Sequence, residues 1–146
     1  MAERVPIGSD HAGFELKQRI KRRLETLGYE VEDVGTYSDE SVDYPDFAKA
    51  VASRVSEGKV RRGVLMCGTG LGMSYVANRF PKVRAAVAWN PEIAELSRRH
   101  NDCNVLVLPA RFIDEEEAEK ILDRWIDASF EGGRHQKRVE KIEMDV

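Results

Sequence analysis

Residues 64–80, VLMCGTGLGMSYVANRF, run an apolar stretch into Cys67 and then place three glycines within five residues, Gly68, Gly70 and Gly72. A buried strand, a glycine loop and a following helix make the first half of a βα unit. Whether that unit repeats decides the fold.

It does repeat. Short β-rich runs, RVPIG from Arg4, YEVEDV from Tyr29, GVLM from Gly63, VRAAVA from Val83 and NVLVL from Asn104, alternate with amphipathic stretches. That alternation is the pattern of helices laid on a parallel sheet. Between the first two strands, Phe14, Ile20, Leu24 and Leu27 recur at helical spacing, and Gly28 supplies a stop. A second helix starts at Pro45, carries Phe47, Val51 and Val55 on one stripe, and stops at Gly58. The glycine loop opens the third, Asn90 with Pro91 the fourth, and Asp114 with Glu117, spaced as a capping box, the fifth, with Ala118, Ile121, Leu122 and Trp125 on its apolar face. Pro6 conflicts with this reading, because it has no N–H to give to a ladder and falls in a central strand. With 146 residues, 42% of them hydrophobic and 34% charged, the chain fits a single domain over residues 1–146. No apolar run approaches the roughly 18 to 20 residues needed to span a bilayer, and no basic-then-apolar leader opens the chain, so the expectation is a cytoplasmic protein without a membrane partner. Cys67 and Cys103 form no CxxC pair, which predicts reduced thiols. A formal charge of -3 gives no reason to expect nucleic acid.

In open parallel sheets ligands collect beyond the carboxyl ends of the strands, where the strand order reverses. For the common order 2-1-3-4-5 that point lies between strands one and three. Asp10 and His11, in GSDHAG, would then face Cys67 and Thr69, in CGTGLG. The glycine loop is not a dinucleotide fingerprint, because the third glycine position is Met73 and no acidic residue ends the next strand to hold a ribose. It is not a P-loop either, lacking Lys-Ser or Lys-Thr after its glycines. A cysteine phosphatase would need an arginine six residues past the cysteine, and Met73 stands there. What remains is a thiol at a helix start, surrounded by backbone N–H groups that glycine leaves uncovered, a setting for a base or nucleophile beside an oxyanion site. The bland alternative, a packed turn around an inert cysteine, stays open on this loop alone.

Other polar residues have bland readings too. His11 fits a helix cap, and His100 with Asn101, in SRRHNDCNVL, fits a solvated helix end. His100 with Cys103 offers too few ligands for a metal. The charged EGGRHQKRVEKIE reads as a solvated helix, yet Arg134 and Arg138 are i, i+4 neighbours able to give a phosphate two forked donors.

GSDHAG, DYPD, CGTGLGMS, VANRFPKVRAA, SRRHNDCNVL and EGGRHQKRVEKI, in this order along nearly the whole chain, resemble the type B ribose-5-phosphate isomerases, within a wider group that includes galactose- and allose-6-phosphate isomerases. The resemblance implies a three-layer, Rossmann-like or flavodoxin-like α/β sandwich with a five-stranded parallel sheet and a C-terminal helical tail. It also implies a homodimer, in some members paired into tetramers, with sites at the subunit interface and neither cofactor nor metal. Carried onto this sequence, it makes Cys67 the base between C1 and C2 of the open sugar, and Thr69 and His100 the ring-opening groups. Asp10 and Tyr44 would contact sugar hydroxyls, Asn101 and the N–H groups around Gly68, Gly70 and Gly72 would hold the enediolate, and His11, Arg111, Arg134 and Arg138 would hold the phosphate. Ser9, Pro6 and the LPAR stretch before Phe112 depart from the family pattern, and Pro109 bears on the Arg111 loop. The expected function is interconversion of ribose 5-phosphate and ribulose 5-phosphate in pentose phosphate metabolism. The alternatives are a six-carbon sugar-phosphate isomerase and a non-catalytic sugar-phosphate-binding module. Because the galactose enzyme is built from two different subunits while this chain holds the full residue set, the ribose reading is favoured. Retention of Cys67 speaks against the module.

Overall fold

Every residue of β3 (Gly63–Cys67) and of β5 (Val105–Pro109) is buried. Apolar runs this continuous require cover on both faces of the sheet, and the chain supplies it. The computed structural model describes residues 2–145. β1 (Arg4–Ser9), β2 (Glu30–Asp33), β3, β4 (Ala85–Val87) and β5 pair in parallel in the order β2-β1-β3-β5-β4. The expected order 2-1-3-4-5 is therefore wrong at one edge: β5 lies between β3 and β4, pairing Gly63↔Val105 on one side and Ala85↔Val105 on the other. β4 is the short edge strand, and its half-buried residues suit that place. The reversal between β1 and β3 survives the correction.

Right-handed crossovers then fix the faces. Steps to one side, β1 to β2 and β4 to β5, put α1 (Phe14–Thr26) and α4 (Pro91–Asn101) on one face, where α5 (Glu115–Asp127) joins them. Steps the other way put α2 (Tyr44–Ser56) and α3 (Leu71–Ala77) on the opposite face. Along β3 the side chains alternate, Val64 and Met66 into the first core, Leu65 and Cys67 into the second. Ile20, Leu24, Val51, Ala118, Ile121, Leu122 and Trp125 are fully buried, as their spacing predicts, whereas Leu27 lies past the end of α1 and is exposed. Asn90 and Asp114 cap their helices through Ile93 N–H and Glu117 N–H, both at 2.8 Å.

Pro6 is tolerated for a local reason. Ile7 and Ser9 direct their backbone groups to the β2 side, where Val34 N–H meets Ile7 C=O at 2.9 Å and Ser9 N–H meets Gly35 C=O at 2.7 Å. Pro6 therefore faces β3, and the β1–β3 ladder begins only at Ile7↔Val64. The strand loses no ladder bond. The tail helix α6 (Arg134–Ile142) buries His135 and Val139 and leaves Arg134 and Arg138 exposed. Glu143 ties its end to the start of β4 through Lys82 N–H and the Arg84 guanidinium.

Candidate active site

The two loops leaving β1 and β3 meet at the carboxyl edge of the sheet. A cleft of about 320 Å³ opens there, lined by Asp10, Tyr44, Cys67, Gly68, Thr69, Gly72, Tyr75 and Arg111. A larger groove of about 530 Å³ between α1, α4 and α5 is walled by mutually paired charges, Arg23–Asp123 and Arg124–Glu95 among them, and leaves little free for chemistry.

Cys67 ends β3 with 5% exposure, and its Sγ accepts the Gly70 N–H at 3.2 Å. That donor is aimed by Gly70 itself, whose φ of +78° only glycine adopts readily. Cys103 shows the contrast. Its thiol donates to Val105 C=O at 3.3 Å, and complete burial pushes its pKa up, the setting of a structural cysteine. Both cysteines are free thiols.

Glycine at 72 admits Tyr44, since a Cβ there would stand 2.4 Å from the tyrosine ring. Gly68 similarly lies under Arg111, with 3.1 Å from the Cβ position to the guanidinium. Pro109 does not displace this loop: Ala110 N–H and Arg111 N–H bond the carbonyls of Cys67 and Gly68 at 2.9 and 3.0 Å. Asp10 Oδ1 caps the turn His11–Gly13 by accepting from Ala12 and Gly13 N–H, which leaves Oδ2 for a ligand. His11 Nδ1 accepts the Val42 N–H at 3.2 Å, so in the neutral ring the proton sits on Nε2 as a free donor. Thr69 Oγ1 accepts the Leu71 N–H at 3.1 Å and keeps its own O–H available.

His100, Asn101, Arg134 and Arg138 are not in this cleft. Helices of a parallel sheet run back antiparallel to their strands, so the last residues of α4 lie where β5 begins, at the amino edge. The tail joins them there: Glu131 N–H bonds Arg99 C=O at 3.0 Å, and the His135 ring stacks on His100. A five-residue strand separates the edges, on the order of 15 Å. The residues expected to form one site thus lie in two groups at opposite edges of the sheet. Arg111, Arg134 and Arg138 form no ion pair among the described residues, although most other arginines do. Sequence reasoning missed Tyr75, exposed at the cleft mouth, and His135, buried beside His100. His135 was detectable in principle, since it shares the inward i, i+4 face of α6 with Val139.

The sequence profile of the Ribose/Galactose Isomerase family matches residues 5–142. The chain belongs to that family. It is 49% identical over 140 residues to ribose-5-phosphate isomerase B of Escherichia coli, covering 96% of this chain and 94% of that protein. Its fold superimposes on the crystal structure of a ribose 5-phosphate isomerase from Thermotoga maritima with a TM-score of 0.94 at 50% identity, over 98% and 99% of the two chains. Ribose-5-phosphate isomerase B of Mycoplasma genitalium, solved with bound ribulose-5-phosphate, matches with a TM-score of 0.94 at 43% identity, over 98% of this chain and 95% of that one. The flavodoxin-like sandwich of the family is thus the fold of this chain. No helix among the described residues is long and apolar enough to cross a membrane.

Proposed function

We propose that this protein is a ribose-5-phosphate isomerase, working in the cytoplasm as a single-domain homodimer whose sites are shared between copies. The observation that carries the reading is the cleft itself: a buried thiol that accepts the Gly70 N–H, in a cleft shared with Arg111, which has no ion pair among the described residues, in a family whose members act on sugar phosphates. The cleft of one copy supplies Cys67, Thr69, Asp10, His11, Tyr44 and Arg111. The amino edge of a second copy supplies His100, Asn101, Arg134 and Arg138. Leu71, Tyr75, Trp89 and Phe112, between 48% and 73% exposed on the carboxyl side, give that second copy an apolar surface to cover.

Aldose-to-ketose conversion requires an open ring, removal of a proton α to a carbonyl, and a holder for the resulting charge. In this reading, His100 and Thr69 exchange protons with the ring oxygen and the anomeric hydroxyl, releasing the aldehyde. The Cys67 thiolate takes the C2 proton and returns it at C1, while the hydroxyl proton passes between the two oxygens. The N–H groups near Gly68, Gly70 and Gly72, with Asn101, hold the enediolate, each well-placed donor worth about 3 kcal/mol. The arginines and His11 hold the phosphate, a remote anchor that positions the reacting carbons. Ketose formation from ribose 5-phosphate, compared with allose 6-phosphate, tests the activity. Cys67→Ala should bind sugar phosphate yet lose about 10³-fold or more in turnover. Turnover near wild type would remove the thiol from the chemistry, and a preference for the six-carbon sugar would replace the substrate.

A further inference from the structure

His100 does not stand alone. The His135 ring lies against it with centroids 4.4 Å apart and planes 12° from parallel. His135 is 7% exposed, its Nε2 is 3.6 Å from Glu131 Oε1, and the other oxygen of Glu131 is taken by Arg99 at 2.7 Å. The donor atoms of His100, Glu131 and His135 fall within 4.8 Å of one another, a spacing that raises the question of a cation. The stack argues against one. Stacked rings confine their in-plane lone pairs to two separate, nearly parallel planes, whereas a shared cation about 2.0 to 2.1 Å from each nitrogen has to lie in both ring planes at once. Arg134 and Arg138 flank the pair and add repulsion. Burial, reinforced by the charges of His100, Arg134 and Arg138 and only partly offset by Glu131, holds His135 below the usual histidine range. It therefore offers His100 a neutral aromatic face at neutral pH.

We propose that His135, braced by Glu131 and Arg99, is a positioning residue that fixes the plane of the His100 ring so that its nitrogen meets the sugar ring oxygen. A flat partner at stacking distance removes rotation about the outer torsion of His100, which is otherwise a broad, nearly two-fold well. The chain of contacts has a source at each end: Glu131 is anchored to α4 by its own N–H on Arg99 C=O and by the Arg99 guanidinium, and His135 is anchored in the first turn of α6. The inference rests on His100 acting in ring opening.

The test compares His135→Ala, which removes the flat partner, with His135→Phe, which keeps it without a titrating group. Folding of each is checked by thermal unfolding. His135→Ala should lower kcat on ribose 5-phosphate by about 10-fold or more, with KM within about 3-fold, because misplacement of a catalytic group by an ångström acts on the chemical step. Solvent hydrogen exchange at the reacting carbon of ribulose 5-phosphate, which needs no ring opening, should stay within about 3-fold of wild type. His135→Phe should recover most of the lost kcat. Unchanged kcat in His135→Ala, a change confined to KM, or equal losses in both variants would overturn the positioning role. His100→Ala separates this from its premise: a His100 variant with full ribose 5-phosphate activity would defeat the ring-opening reading itself.

Discussion

At the residue scale, the two cysteines of the chain make opposite hydrogen bonds. Cys67 sulfur receives an N–H, and Cys103 gives its S–H to a carbonyl in a fully buried site. The first was legible in the sequence, because glycines crowd around it. The loop geometry that follows from Gly70, Gly72 and Gly68 was legible for the same reason. The partnership of His100 with His135 was not, because nothing in a linear reading says which buried face meets which helix end. The role assigned to His100 has a directional signature. Ribulose 5-phosphate cannot close the equivalent ring, since its 5-oxygen carries the phosphate. His100→Ala should therefore cut ribose 5-phosphate consumption by about 10² to 10⁴ while sparing a larger share of ribulose 5-phosphate consumption, because the variant releases the open-chain aldehyde, which cyclises in solution. Initial rates in both directions check this, and equal losses would move His100 into proton transfer.

At the element scale, α1 and the turn after β2 are joined through Lys17, a lysine with no exposed surface. Its ammonium binds Asp33 at 2.5 Å and also the Thr36 carbonyl. Burial opposes the charge on Asp33, but hydrogen bonds from Lys17, Gly35 N–H and Lys21 outweigh it and hold the carboxyl below its usual 3.8. A depressed carboxylate contributes stability that is complete above its unfolded value and is lost as pH falls through the native one. Asp33→Asn should cost roughly 3 to 5 kcal/mol at pH 7, because it leaves the Lys17 charge buried without its partner. It should also flatten the loss of stability below about pH 4. Urea unfolding at pH 7 and pH 3 measures both, and an unchanged midpoint at pH 7 would contradict the account. For α6 the expectation is opposite. Arg134 and Arg138 are exposed and form no ion pair among the described residues, so replacing both with alanine should raise KM for the phosphorylated sugar at least about 10-fold while shifting stability by less than about 1 kcal/mol. An unchanged KM would return α6 to a solvated tail.

At the scale of the whole molecule, the hydrophobic periodicities disclosed the layers and the sheet, while the order of its last two strands stayed hidden. β4 and β5 are both short apolar runs, and which one pairs with β3 depends on crossover direction rather than on composition. The resemblance implies a site at a subunit interface, but which residues one copy contributes stayed hidden in the sequence. That depends on the path of α4, which carries His100 to the edge of the sheet opposite Cys67, so the proposed site needs a second copy. Complementation between variants tests that claim most directly. Cys67→Ala and His100→Ala proteins, each inactive on ribose 5-phosphate alone, are mixed in equal amounts and allowed to exchange subunits. In a mixed dimer one site takes Cys67 and His100 from the two intact halves, and the other site is doubly impaired. Activity should rise to about one quarter of wild type, since about half of the dimers are mixed and each has one working site of two. A mixture that stays as inactive as its parents after verified exchange would show that Cys67 and His100 do not meet across the interface.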